Sequence, residues 1–171
     1  MKALELFEAA VNADPDYSDA WARLGWCYAK LVMHGCVDDP DPSIKKGFEA
    51  AKRAVALDDA SALARMALGT VHIFALETEM GLEEARRAVE LNPNYSHAAM
   101  AYGNRLDLVG ETEKGIAQME RALALNPRDP IRWRYMAYVS RAYLAQKDYE
   151  RACEWGKKAA LLRPDLPEAL F

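Results

Sequence analysis

Three histidines, three cysteines and a run of carboxylates are the residues that could do chemistry in this sequence of 171 residues. His34, Cys36, Asp38, Asp39 and Asp41 crowd one stretch, and side chains of these types can hold a metal ion. Their spacing fits neither the Cys/His sets of zinc nor the alternating carboxylates of a calcium loop, so the expectation is a solvated acidic loop with no metal. A nucleophile from Cys27, Cys36 or Cys153 needs a histidine brought close in space. Buried, inert thiols are the simpler expectation. There is no Walker-type Gly-rich loop, no HExxH, no GxSxG and no CxxC pair. No catalytic residue and no cofactor is therefore expected.

Composition narrows the classes further. Apolar residues make up 51% and charged residues 28%, a globular balance in a chain long enough to bury a core without metal or disulfide staples. The net charge of −4 argues against a nucleic-acid binder, which normally carries a basic surplus. An odd number of scattered cysteines argues against a disulfide framework and for a reducing compartment. The longest uncharged apolar run, 66–76, is interrupted by His72 and too short to span a bilayer. Glu5, Glu8 and Asp14 are foreign to a secretory signal. The expectation is a cytoplasmic protein with no membrane partner.

The elements that position these residues are set by an internal repeat. Ala-Val-Ala-Leu-Asp-Asp at 54–59, Ala-Val-Glu-Leu-Asn-Pro at 88–93 and Ala-Leu-Ala-Leu-Asn-Pro at 122–127 are versions of one phrase. Related phrases close at Pro15 and Pro164, and the closing residues lie 44, 34, 34 and 37 apart. One period of 34 runs through the chain with insertions of ten and three residues. Within each period apolar residues recur at three- and four-residue steps, the mark of two helices with buried faces, and strand alternation is absent. Expected helices are 18–35 with 42–57, 62–76 with 81–91, 96–109 with 112–125, and 130–146 with 149–162. Asp41 and Asp148 are expected helix caps, the former followed by Pro42. Units are expected at 1–17 (a half unit), 18–61, 62–95, 96–129 and 130–166, with 167–171 beginning a further helix.

Glycine inside a helix costs about 1 kcal/mol relative to alanine. Yet Gly25, Gly69 and Gly103 recur at one place, and Gly47, Gly81 and Gly115 at another. A cost repeated at a fixed place signals a repeated need, here the close approach of paired helices. The closing prolines stop each second helix. A single pair cannot hide its apolar stripe, so the pairs must stack.

This pattern resembles the tetratricopeptide repeat family. Trp21, Leu24, Gly25 and Tyr28 match its first-helix places, and Ala3, Phe7, Ala10 and Pro15 its second-helix places. The second unit keeps Leu68 and Gly69, with Arg65 and His72 in the aromatic places. The third keeps Gly103, with Tyr102 in the Leu place. In the fourth, Trp133, Met136 and Ala137 are expected in the Trp, Leu and Gly places, followed by Ala152, Gly156, Ala159 and Pro164. The resemblance implies an all-α, right-handed superhelical solenoid of antiparallel helix pairs whose first helices line a concave groove. By register it places Arg23, Trp26 and Lys30 in that groove, then Met66, Thr70 and Phe74. His97, Met100 and Asn104 follow, then Arg134, Tyr135, Tyr138 and Arg141. Such arrays bind a peptide or partner protein, with aromatic, Met and Arg residues as anchors. Trp26, Phe74, Met100, Tyr135 and Tyr138 are the expected anchors, with Arg134 as charged contact. Replacing Tyr135 and Tyr138 by alanine is expected to abolish capture while leaving melting nearly unchanged. The carboxylate clamp of one subfamily is not implied: Asn104 fits, but Ala22, Met66 and Met100 stand where its lysine is wanted.

From Arg128 to Arg163 nine basic residues face four acidic ones, which points to an acidic partner at that end. The acidic, Pro-containing elbow near Asp38–Pro42 is similar to arrays appended to some bacterial nucleotide cyclases and winged-helix regulators, an alternative role. The incomplete first unit and the start at 167 imply a fragment of a longer array, or self-assembly of copies through open ends.

Overall fold

The computed structural model describes residues 2–163. Among them every regular element is a helix: α1 (Lys2–Ala13), α2 (Ser18–Met33), α3 (Asp41–Leu57), α4 (Ala62–Phe74), α5 (Thr78–Leu91), α6 (Ser96–Leu108), α7 (Thr112–Leu125), α8 (Arg132–Ala145) and α9 (Tyr149–Leu162). The segment 167–171, expected to open a further helix, lies outside the described residues. No described helix is long and apolar enough to cross a membrane. The chain divides into two compact units, Met1–Asn92 and Pro93–Phe171. In the first, α1 packs on α2, α2 pairs with α3, and α4 lies on both before pairing with α5. In the second, α6 pairs with α7, and α8 packs on α7 before pairing with α9.

Small residues let the helices close. Ala22, Ala51, Ala64, Ala67 and Val71 are fully buried in one cluster of the first unit. A Cβ on Gly25 would stand 3.0 Å from the Gly47 carbonyl oxygen, and one on Gly103 only 2.6 Å from that of Gly115. The recurring glycines are therefore contact points between paired helices. Ser61 and Asp148 cap α4 and α9, accepting from the amides of Ala64 and Arg151. Asp41, expected as a cap, lies inside α3. Its own amide donates to the Asp39 carboxylate at 3.1 Å, because the turn tightens one residue earlier around Pro40.

The ten-residue insertion is distributed. α2 and α3 are 16 and 17 residues long where α4 and α5 are 13 and 14. Each helix thus gains three residues, and the connection 34–40 takes the other four. Lengthening both arms of a hairpin equally keeps their register, so Gly25 still meets Gly47.

The fourth pair departs from expectation. Its three extra residues fall ahead of α8, and the whole helix is read three residues further along. α4, α6 and α8 each end three residues before the helix they pair with. Counting back from that turn puts Met136, Val139, Ser140 and Tyr143 in the places expected for Trp, Leu, Gly and Tyr. All four are buried. The Ser140 hydroxyl donates to the Ala152 carbonyl at 2.7 Å, where Gly103 lies against Gly115. The Tyr143 hydroxyl donates to Glu120, as that of Tyr28 does to Glu8. Trp133 is buried at the start of α8, its indole N–H without an acceptor, whereas the Trp21 indole donates to the Pro15 carbonyl. The shift also accounts for Gly156. Opposite the glycines of the first three pairs stand Ala51, Ala85 and Met119. In the fourth pair the first helix carries Ser140, and the second yields with Gly156, 3.3 Å from the serine oxygen measured at its missing Cβ.

Candidate partner-binding faces

The groove residues expected from the sequence fall into two sets, one on each unit. On the first unit they come from α2 and α4, held together by the alanine-rich cluster between these helices. Arg23 is exposed and Trp26 half-buried, with the Lys30 ammonium 4.9 Å from the indole centroid. Phe74 is half-buried against the core cluster. The Thr70 hydroxyl donates to the Met66 carbonyl one turn back at 2.8 Å. Met66 is only 3% exposed and belongs to the core, not to an accessible face.

On the second unit the set comes from α6 and α8. Arg134, Tyr138 and Arg141 recur at four- and three-residue steps and share one side of α8. The three-residue shift leaves them at places that the family register assigns to the groove, while Tyr135 moves to the place held by the buried residues Ala20, Ala64 and Ala98. Tyr135 is 5% exposed, and burial, aided by nearby Asp129, drives its phenol pKa well above the usual range. Met100 is 3% exposed. Met66, Met100 and Tyr135 therefore fail as accessible anchors: the two methionines share one place on α4 and α6 that packs into the core, and the shift carries Tyr135 to another buried place.

Charge on this face is partly spoken for. Arg141 donates to Asn104 Oδ1 at 2.7 Å and to Asp107 Oδ2 at 3.0 Å, and its guanidinium lies 5.6 Å from the Tyr138 ring. Arg134 rests 5.2 Å over Trp133. His97 stacks on Tyr95 and meets Tyr135 edge-on, its Nδ1 3.8 Å from Asp129 Oδ2. Sequence reading missed Asp129 and Arg105, both buried. Asp129 accepts from the Ile131 amide and from Asn126, fixing the turn into α8. Burial pushes the Arg105 guanidinium down to about 10, against the pull of Tyr138. The Asn-Pro-Arg-Asp-Pro phrase ahead of α8 was the available signal for Asp129; nothing in the pattern marks Arg105.

The acidic elbow gathers no metal-holding group of three or more His, Cys, Asp or Glu among the described residues. Cys36, in the elbow, and Cys153, on α9, are exposed rather than buried. Cys27 is half-buried, and burial pushes its thiol pKa up.

No curated protein matches the sequence. Among solved structures it is similar to MamA, at 24% identity over 94% of this chain and 86% of that one, with a TM-score of 0.64. It is similar to YrrB, described as a TPR protein with an unusual peptide-binding site, at 24% identity over 99% and 80% of the two chains, TM-score 0.65. A thermophilic TPR protein of Thermus thermophilus aligns at 21% identity over 97% and 84%, TM-score 0.77. At these identities the likeness is one of fold. The family model for the tetratricopeptide repeat matches residues 1–32 and 109–167, more than half of the chain. That match is to the general repeat and lends no support to the narrower likeness to cyclase-appended arrays. The helix pairs, the glycine contacts and the matched segments agree: the chain belongs to the tetratricopeptide repeat family.

Proposed function

We propose that the protein is a non-catalytic scaffold that binds an acidic peptide or protein segment along the α6–α8 face of its second unit. The observation that carries this reading is α8 itself. Its sequence, Arg-Trp-Arg-Tyr-Met-Ala-Tyr-Val-Ser-Arg-Ala-Tyr-Leu-Ala, has three arginines and no acid, and Arg134 and Tyr138 stand side by side and partly open. An aromatic ring beside a guanidinium offers apolar area and charge together, the combination favoured at binding hot spots. Because Arg141 is tied to Asp107, Arg134 is the contact for a carboxylate. YrrB, with its peptide-binding site, supplies a precedent on the same fold. The α2–α4 face, with Trp26 and Phe74, is a second and less charged surface.

The test is fluorescence anisotropy with Glu- and Asp-rich peptides, using Lys-rich peptides as controls. Arg134→Glu with Tyr138→Ala is expected to weaken acidic-peptide binding about a hundredfold, roughly the loss of one charged and one aromatic contact. Helicity and melting are expected to stay close to wild type, because neither residue is buried. Binding that survives both changes, or that prefers Lys-rich peptides, removes this face from consideration.

A further inference from the structure

α6 carries an acid where the repeat asks for none. Four residues on from Gly25, Gly69 and Ser140 stand Ala29, Ile73 and Leu144, all apolar, whereas four on from Gly103 stands Asp107. Its side chain is only 7% exposed. A carboxylate so far out of water needs a partner, and it has one on the next pair. Arg141 donates to Asp107 Oδ2 at 3.0 Å and to Asn104 Oδ1 at 2.7 Å. Arg141 is an exception too. The matching places in the other pairs hold Trp26, Thr70 and Asn104, none of them charged. Acid and base thus occur together at places where the other pairs have neither.

The two ends of this tie differ. Arg141 is 46% exposed, while Asp107 is covered. A carboxylate from outside can reach the guanidinium, but taking it away strands Asp107. Leaving a covered carboxylate alone costs more than an exposed ion pair returns. Arg134 rests on the Trp133 ring instead. Arg134 and Arg141 are seven residues apart, about 10 Å along the helix axis. An extended chain covers that span in about three residues.

Granted that the α6–α8 face takes acidic segments, as its arginines and Tyr138 indicate, we propose that Asp107 sets the charge specificity of that face. Asp107 occupies Arg141 as a partner's acid would. A bound segment is then read for one acid, opposite Arg134, and not for a second acid three residues away.

Fluorescence anisotropy with two labelled Ser/Gly-based peptides tests it. Each peptide carries two glutamates, adjacent in one and three residues apart in the other, so their net charge is equal. Wild type is expected to bind both within about twofold. Asp107→Asn keeps the shape and removes the charge. It is expected to favour the spaced peptide about tenfold, the order of one charge-assisted contact. Adding Arg141→Gln is expected to bring the ratio back to that of wild type. Asp107→Ala, which installs the residue type found at this place in the first pair, is a second variant with the same expected preference, and circular dichroism checks the fold of each. A wild type that favours the spaced peptide tenfold overturns the proposal. So does a folded Asp107 variant that binds both peptides alike, or one whose preference survives Arg141→Gln. The two failures are distinguishable: acidic peptides that bind neither wild type nor variant sink the reading of the face and this proposal with it, whereas binding with an unchanged ratio sinks the role of Asp107 alone.

Discussion

Tyr28 shows how one side chain ties a unit together and what that costs at high pH. Its ring is buried among α1 and α2 residues, and its hydroxyl donates to Glu8 at 2.7 Å. Burial, then the hydrogen bond to the carboxylate, raises its pKa to about 12. The folded value lies above the unfolded one near 10, so the contribution of Tyr28 is whole below pH 10 and is lost as pH rises through 12. Tyr28→Phe is expected to cost about 1 kcal/mol at neutral pH, the usual net worth of such a bond. The gap to wild type is expected to close between pH 10 and 12, as followed by urea melts. A gap that stays constant or widens there would mean that the phenol is not held neutral. Tyr28 was legible from its register. The matching Tyr143 was not, because Trp133 lies six residues after Pro127 as Trp21 does after Pro15 and drew the reading to the wrong turn. Only the distances from Tyr143 to Glu120 and from Ser140 to Ala152 reveal which residue does the packing.

At the scale of elements, helix identity was readable throughout, since period and closing prolines repeat, whereas helix starts moved by up to three residues. α5 begins at Thr78 rather than at Gly81, directly after the three-residue turn 75–77. That turn has a steric demand the sequence disguises. Its middle residue is in the left-handed region in three pairs: Leu76 at φ 63°, Gly110 at φ 88° and Lys147 at φ 62°. Only the middle one is glycine, so the motif cannot be found by looking for glycine. A leucine there carries backbone strain of about 1–2 kcal/mol, offset in part by the entropy a glycine would lose on folding. Leu76 is also 89% exposed and leaves little packing to lose. Leu76→Gly is therefore expected to stabilise the protein by about 0.5–1 kcal/mol in denaturant melts. Destabilisation would mean that the exposed leucine makes contacts worth more than its strain.

For the whole molecule the repeat announced stacked pairs, but which face each groove residue finally shows depends on packing depth. Met66 and Thr70 sit one turn apart on α4, yet one is core and the other half-open, since a helix lying on two others is covered over more than half its girth. Stacking has an energetic consequence that periodicity alone cannot deliver. In arrays where pairs touch only their neighbours, a local fault is felt locally. Gly103→Ala places a methyl 2.6 Å from the Gly115 oxygen and 2.9 Å from the Met119 amide nitrogen, both backbone atoms of α7, so α6 and α7 must separate. The cost is expected to be about 1–3 kcal/mol, the usual range for overpacking a tight contact. Hydrogen exchange is expected to report that loss in the amides of α6 to α9. The amides of α1 to α5, which lie in the other compact unit, are expected to lose less than half as much protection. An equal loss in both units would show that the molecule opens only as a whole, and would replace the neighbour-by-neighbour account of its stability with a single cooperative transition.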